Sequence, residues 1–88
     1  MSQQKDTEKA KAAAFLKKIR KTVRQMRLAK GISQAELAHR ARLSSKYISR
    51  LEGSKTKLVN PSAICLFDLV HALDVSLEGF FNQIDPEK

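Results

Sequence analysis

Between Lys11 and Lys30, apolar side chains recur at Phe15, Ile19, Val23 and Met26, a spacing of three and four that gathers them on one face of an α-helix. No Gly or Pro interrupts the stretch, and Gly31 follows it where a helix commonly ends on a left-handed residue. Ser33-Gln34-Ala35-Glu36 reads as a capping box: the Ser33 hydroxyl takes an amide of the first turn and Glu36 reaches back. A second helix therefore runs to about His39 or Arg40, with Ala35, Leu37, Ala38 and Ala41 as a small-residue face for close helix contact. Ser44 caps a third helix in which Tyr47, Ile48 and Leu51 are the apolar positions, ending at Gly53. Asn60-Pro61-Ser62 opens a fourth, with Pro at or near the first helical turn, through about Leu73. A short fifth follows Ser76 and carries Leu77, Phe80, Phe81 and Ile84; Gly79 inside it costs about 1 kcal/mol relative to Ala.

The pattern predicts an all-α fold of five helices in one domain, residues 15–84. A polar N-terminal extension, 1–14, is expected to be disordered or a frayed helix, and 85–88 to be a C-terminal tail. With 88 residues, three Gly, two Pro and five aromatic residues, neither a two-domain enzyme nor a turn-rich β architecture fits. The single cysteine, Cys65, excludes an intrachain disulfide. It lies in the most apolar helix with no activating base nearby, which reads as an inert thiol. His39 and His71 have no second ligand at metal spacing. A Gly-rich phosphate loop, a nucleophile with a paired base and a carboxylate cluster are all missing from the sequence, so neither an enzyme nor a cofactor is expected. The N-terminus lacks the apolar stretch of a secretory signal and no run is long enough to span a membrane, which predicts a cytoplasmic protein.

Charge changes this picture most. The chain carries +8, divided as +1 over residues 1–14, +7 over 15–30, +4 over 31–60 and −4 over 61–88. A polarised basic surface collects phosphates where evenly mixed charge does not, so a polyanionic partner approached by one face is expected. A basic amphipathic helix, 10–30, on an anionic membrane is the lesser reading, since it has no Trp and commits its apolar face to the core.

The second and third helices are separated by only three or four residues, the spacing of a helix-turn-helix. Ala38 falls at their crossing, Leu43 in the turn, and Leu37, Ile48 and Leu51 between them. Through Ile32-Ser33-Gln34-Ala35-Glu36-Leu37-Ala38 and Leu43-Ser44-Ser45-Lys46-Tyr47-Ile48-Ser49-Arg50-Leu51-Glu52, the chain resembles the Cro-like, phage-repressor (Xre) helix-turn-helix family over about 19–81. The resemblance implies a five-helix lambda-repressor-like DNA-binding domain. One departure is Arg42, where the family commonly has Gly: a left-handed residue there costs about 1 kcal/mol or more, so either the turn differs or stability is given up.

A major groove about 12 Å wide admits one helix, and a partner helix behind it fixes the angle of reading. With Ile48 and Leu51 inward, Ser45, Lys46, Ser49 and Arg50 face out as base readers, and the resemblance likewise implies base contacts at Ser45, Lys46 and Arg50. Arg50 is the strongest candidate because its planar fork can bond guanine O6 and N7 together. The plain alternative for Lys46 and Arg50 is an ordinary solvated charge. Phosphate contacts are expected from Gln34 at a helix start, from Arg24 and Arg27 on the first helix, and from Lys55 and Lys57 in the basic loop. Tyr47 either reaches a phosphate through its hydroxyl or packs on the core. The resemblance also implies an ion pair between Arg27 and Glu52, one that fixes orientation more than it adds stability.

The fourth helix is apolar on most sides, which suggests a second buried contact. A homodimer through Leu66, Val70, Leu77, Phe80, Phe81 and Ile84 would set two reading helices about 34 Å apart on a pseudo-palindrome of double-stranded DNA. Alternatively these residues complete the domain's own core. The size resembles stand-alone repressors, restriction-modification controllers and antitoxins, the last with a toxin or other protein partner; a coactivator or bridging protein can use the same fold.

Overall fold

The computed structural model describes residues 2–53 and 59–84, which form five helices: α1 (Ser2–Lys30), α2 (Gln34–Ala41), α3 (Ser45–Gly53), α4 (Ala63–Ala72) and α5 (Leu77–Ile84). Four of them start in the same way. The hydroxyls of Ser33, Ser44, Ser62 and Ser76 accept the amides of Glu36, Tyr47, Cys65 and Gly79 at 3.0, 3.0, 3.1 and 2.9 Å. Each such cap is worth about 1 kcal/mol. Half of the expected capping box forms: Glu36 turns away from Ser33 and instead accepts from Arg40, one turn on, at 2.9 Å. Pro61 precedes the Ser62 cap rather than opening the helix, and the first turn begins at Ala63.

Three helices also end alike. Gly31, Arg42 and Asp74 have φ of 73°, 59° and 60°, and at each the next amide reaches back five residues in the Schellman pattern. Those bonds are Ile32 N to Arg27 O, Leu43 N to Ala38 O and Val75 N to Val70 O, at 3.3, 2.8 and 3.3 Å. The reversal turns Ile32, Leu43 and Val75 onto the core. Arg42 thus settles the question its sequence position raises: the turn is left-handed without glycine, and the strain is carried. At Gly79 the reason for glycine is proximity, since a Cβ there would stand 3.2 Å from the capping Ser76 Oγ.

α1 continues to Ser2, through the segment expected to be disordered or frayed. It is free of Gly and Pro and rich in Ala, Lys, Arg and Gln, residues that cost a helix little. No helix among the described residues is long and apolar enough to cross a membrane.

The core draws Ile19 and Val23 from α1, Leu37, Ala38 and Ala41 from α2, and Ile48 and Leu51 from α3. Leu69, Val70, Leu73, Phe80 and Ile84 close it from α4 and α5. Val70, Phe80 and Ile84 were expected at a dimer interface and are instead buried within the chain. A domain this small needs every inward apolar residue, and burying a side chain such as Phe80 stabilises it by about 1.5–3 kcal/mol. Two other positions also differ from the periodic reading: Phe15 stands at the edge, partly exposed, and Ala35 faces solvent. A further tie fastens the end of α1 to the turn after α4, where Lys30 Nζ lies 2.7 Å from Asp74 Oδ2. Lys30 thereby holds the Asp74 carboxyl below the usual aspartate range.

Candidate nucleic-acid interface

α2 and α3 are joined by only Arg42, Leu43 and Ser44, and pack through Leu37, Ala38, Ile48 and Leu51. Ala38 at this crossing lets the two backbones approach, so α3 is held against α2 as a rigid unit. Its inner side is buried at Ile48, Leu51 and Glu52. Its outer side presents Ser45, Lys46, Ser49 and Arg50, all exposed. Ser45 and Ser49 form one row at i, i+4, and Lys46 and Arg50 the adjacent row, each pair separated by about 6 Å along the axis.

Glu52 anchors α3 to the rest of the molecule. Its carboxylate accepts from Arg27 Nε at 2.7 Å and Arg27 Nη2 at 2.9 Å, a two-pronged pair between side chains only 9% and 2% exposed. Gln34 Nε2 donates to the same carboxylate at 3.1 Å, so one acid joins α1, α2 and α3. The remaining Arg27 nitrogen, Nη1, donates to the Ile32 carbonyl at 2.9 Å. The hydrogen bond to Glu52 raises the Arg27 pKa further, against the opposing effect of burial. With all three nitrogens turned inward, Arg27 has no fork to offer a phosphate, which corrects the expectation that it makes one.

Arg20 was not singled out by the sequence reading. Its Nη1 donates to the Glu52 carbonyl at 3.2 Å, placing a cation at the last turn of α3, where the helix dipole favours it. Arg20 and Arg27 stand at i, i+7 on α1, on either side of buried Val23, and that spacing is the signal by which it could have been found. Together Arg20, Arg24, Gln34, Ser49, Glu52 and Gly53 line an open cleft of about 360 Å³ beside the outer face of α3. Arg24 is exposed there and Gln34 half-buried.

Tyr47 is half-buried with its ring packed on the core. Burial raises the pKa of its hydroxyl, and the neighbouring Cys65 thiol on α4 acts in the same direction. Of the two alternatives for Tyr47, the packed ring matches the core-packing one. Lys55 and Lys57 lie outside the described residues. No group of three or more potential metal ligands occurs among the described residues.

Of the residues expected at a dimer interface, Leu66 is half-buried, while Leu77 and Phe81 remain exposed. α4 adds two that the sequence reading did not name: Ile64 and Phe67 are 72% and 50% exposed. They sit three residues apart on one face, with His71 stacked on Phe67 at 5.5 Å between ring centroids.

No curated protein and no solved structure is significantly similar to the chain. The sequence profile of a helix-turn-helix domain family matches residues 19–78, which take in the buried half of α1 and all of α2, α3 and α4. Covering well over half of the sequence, and centred on the two helices packed as described above, that match shows that the chain belongs to the helix-turn-helix domain family.

Proposed function

We propose that the chain is a sequence-specific double-stranded DNA-binding transcriptional regulator that acts as a homodimer on a pseudo-palindromic operator in the cytoplasm. The observation that carries this reading is the division of α3: its inner residues are locked to α1 and α2, while Ser45, Lys46, Ser49 and Arg50 project from the outer side. Among the described residues, none of these four side chains makes a hydrogen bond or ion pair. Arg50 reads a guanine through both of its terminal nitrogens, and Lys46 reads the neighbouring position less rigidly. Arg24, Gln34 and Arg20 along the adjacent cleft hold the backbone, with Lys55 and Lys57 added on sequence grounds.

The homodimer is supported by exposed apolar side chains on α4 and α5. Ile64 and Phe67 share one face of α4, Leu77 stands exposed at the start of α5, and exposed large apolar groups on one face mark contact surfaces. To read a pseudo-palindrome, a two-fold arrangement through this side would have to set two copies of α3 about one turn of DNA apart, roughly 34 Å.

Selection of bound fragments from random duplex DNA at two salt concentrations tests both parts. An enriched motif with two-fold symmetry is the expected result; strong, steeply salt-dependent binding without an enriched motif would reduce the protein to a non-specific binder. Sedimentation without DNA at tens of micromolar is expected to give a dimer, and Ile64→Glu with Phe67→Glu a folded monomer. A parent protein of monomeric mass removes the dimer from the proposal.

A further inference from the structure

Two described stretches outside the family match, within residues 11–18 and 80–84, meet in one place. Phe15 on α1 and Phe81 on α5 stack with their ring centroids 6.4 Å apart and their planes within 6°. Phe81 in turn meets the buried Phe80 edge-on. Despite this stacking, Phe15 and Phe81 remain 43% and 38% exposed. Beside them Lys11, Ala14, Phe15, Lys18 and Ile84 line a cleft of about 400 Å³. Every one of these residues precedes residue 19 or follows residue 78, the limits of the matched domain. The middle turns of α1, residues 11–18, and the last turn of α5 therefore build a joint surface added to the helix-turn-helix unit.

Its chemistry is specific. Lys11, Phe15 and Lys18 fall at i, i+4 and i+7, so one aromatic ring is bracketed along the helix by two ammonium groups. Both lysines are exposed. An apolar floor with a cationic rim fits a ligand that pairs an apolar anchor with carboxylates. A duplex offers phosphates but keeps the faces of its bases stacked, so it leaves the aromatic floor uncovered. The α1 of a second copy is a poor occupant, because residues 15–30 carry +7 and would set lysines against lysines.

We propose that this α1–α5 cleft docks a segment of another protein: an acidic amphipathic helix that sets an apolar side chain against Phe15 and Phe81, and carboxylates against Lys11 and Lys18. Such binding uses apolar anchors at helical spacing for affinity and flanking charge for orientation. It does not depend on the DNA-binding reading, since no residue of α3 takes part.

The test is an amide-shift titration of the isotope-labelled full chain with a synthetic helical peptide bearing Leu at i, i+3 and i+7 and Glu elsewhere. The same peptide with Lys in place of Glu and a random-sequence duplex serve as comparisons. Shifts are expected at Lys11, Ala14, Phe15, Lys18, Phe81 and Ile84 with the acidic peptide alone, while the duplex moves α3. Lys11→Glu with Lys18→Glu, both at exposed sites, is expected to weaken the acidic peptide about tenfold and to gain affinity for its lysine counterpart. No response at these amides at about millimolar peptide overturns the proposal. So does a response of the same amides to the duplex, which would mark a nucleic-acid site. Movement of the same amides with protein concentration alone would mark a self-contact and also overturns it.

Discussion

Replacing Glu52 by Gln removes one charge from a pair whose other member cannot leave. Arg27 is 8% exposed, and its three nitrogens are committed to Glu52 and to the Ile32 carbonyl. Gln is nearly isosteric with Glu, so packing survives and the loss is electrostatic. Oε1 now receives both Arg27 Nη2 and Gln34 Nε2, and Oε2 receives Arg27 Nε. With the amide oxygen at the first position, the new NH2 opposes Arg27 Nε; turned over, it opposes two donors at once. Either way a buried guanidinium loses its counter-charge and faces a donor. Removing one partner of a buried pair costs about 3–5 kcal/mol, and the bond to Ile32 keeps this case near the lower end, at about 3 kcal/mol. A chain of this length has a total stability of about 4–13 kcal/mol, so the variant is severely weakened.

Urea unfolding followed by far-ultraviolet circular dichroism at neutral pH measures this directly, with an unchanged slope as the check that the denatured state is the same. Replacing both residues, Arg27→Met with Glu52→Met, removes both desolvated charges and is expected to return to within about 1 kcal/mol of the parent. The restored protein should still bind DNA more weakly, because the tie that sets α3 against α1 is gone. A loss below about 1 kcal/mol in Glu52→Gln would falsify the reasoning, since the pair would then behave as a solvated one.

Arg42→Gly relieves a left-handed residue but gives the unfolded chain more freedom, for a net gain of about 0.5 kcal/mol and a rise in Tm of roughly 2–4 °C. A lower Tm than the parent would show that Arg42 is not strained. Asp74→Asn keeps a residue tolerant of positive φ while removing the charge facing Lys30. Because Lys30 lowers the folded pKa of Asp74 beneath its unfolded value, the pair's contribution is present above the unfolded pKa and lost as pH falls through the folded one. Thermal melts should therefore separate parent and variant at neutral pH and converge as pH falls through the folded pKa of Asp74. Arg50→Ala should cost about 1–3 kcal/mol on the selected site and relax one base position, measured against duplexes changed at single positions. Equal loss on every duplex would make Arg50 a phosphate contact.

What was legible in the sequence was local. A serine three residues ahead of the amide it caps depends on one turn of chain, and Ser33, Ser44, Ser62 and Ser76 all start helices. The left-handed end at Arg42 was also marked, because a motif normally carrying Gly there had an arginine instead. Allocation of apolar residues was not legible, since periodicity tells which residues share a face but not what covers it. Val70, Phe80 and Ile84 look like interface residues until α4 and α5 are packed on the rest of the chain, and nothing in the spacing of α4 marks Ile64 and Phe67 as the pair turned outward. The Lys30–Asp74 pair joins positions 44 residues apart, a contact that only the folded path creates. Arg20 lay in between: its two-turn spacing from Arg27 was visible, but its acceptor is a backbone carbonyl of α3, and a carbonyl leaves no mark in the sequence.

The two sides of α3 should consequently respond to substitution in opposite ways. On the inner side, Ile48 and Leu51 are buried in the core and Glu52 in the charged network, so changes there lower stability and reach DNA binding only by way of folding or helix orientation. On the outer side, Ser45, Lys46, Ser49 and Arg50 contribute no hydrogen bond or ion pair among the described residues. Exchanging them should therefore leave stability within about 0.5 kcal/mol while changing which duplex is bound. This separation follows from mounting a reading surface on an element whose position is fixed from behind. If outer-face exchanges shift both the unfolding midpoint and the preferred duplex, those side chains help to hold α3 in place, and stability could not be kept constant while the reading face is exchanged.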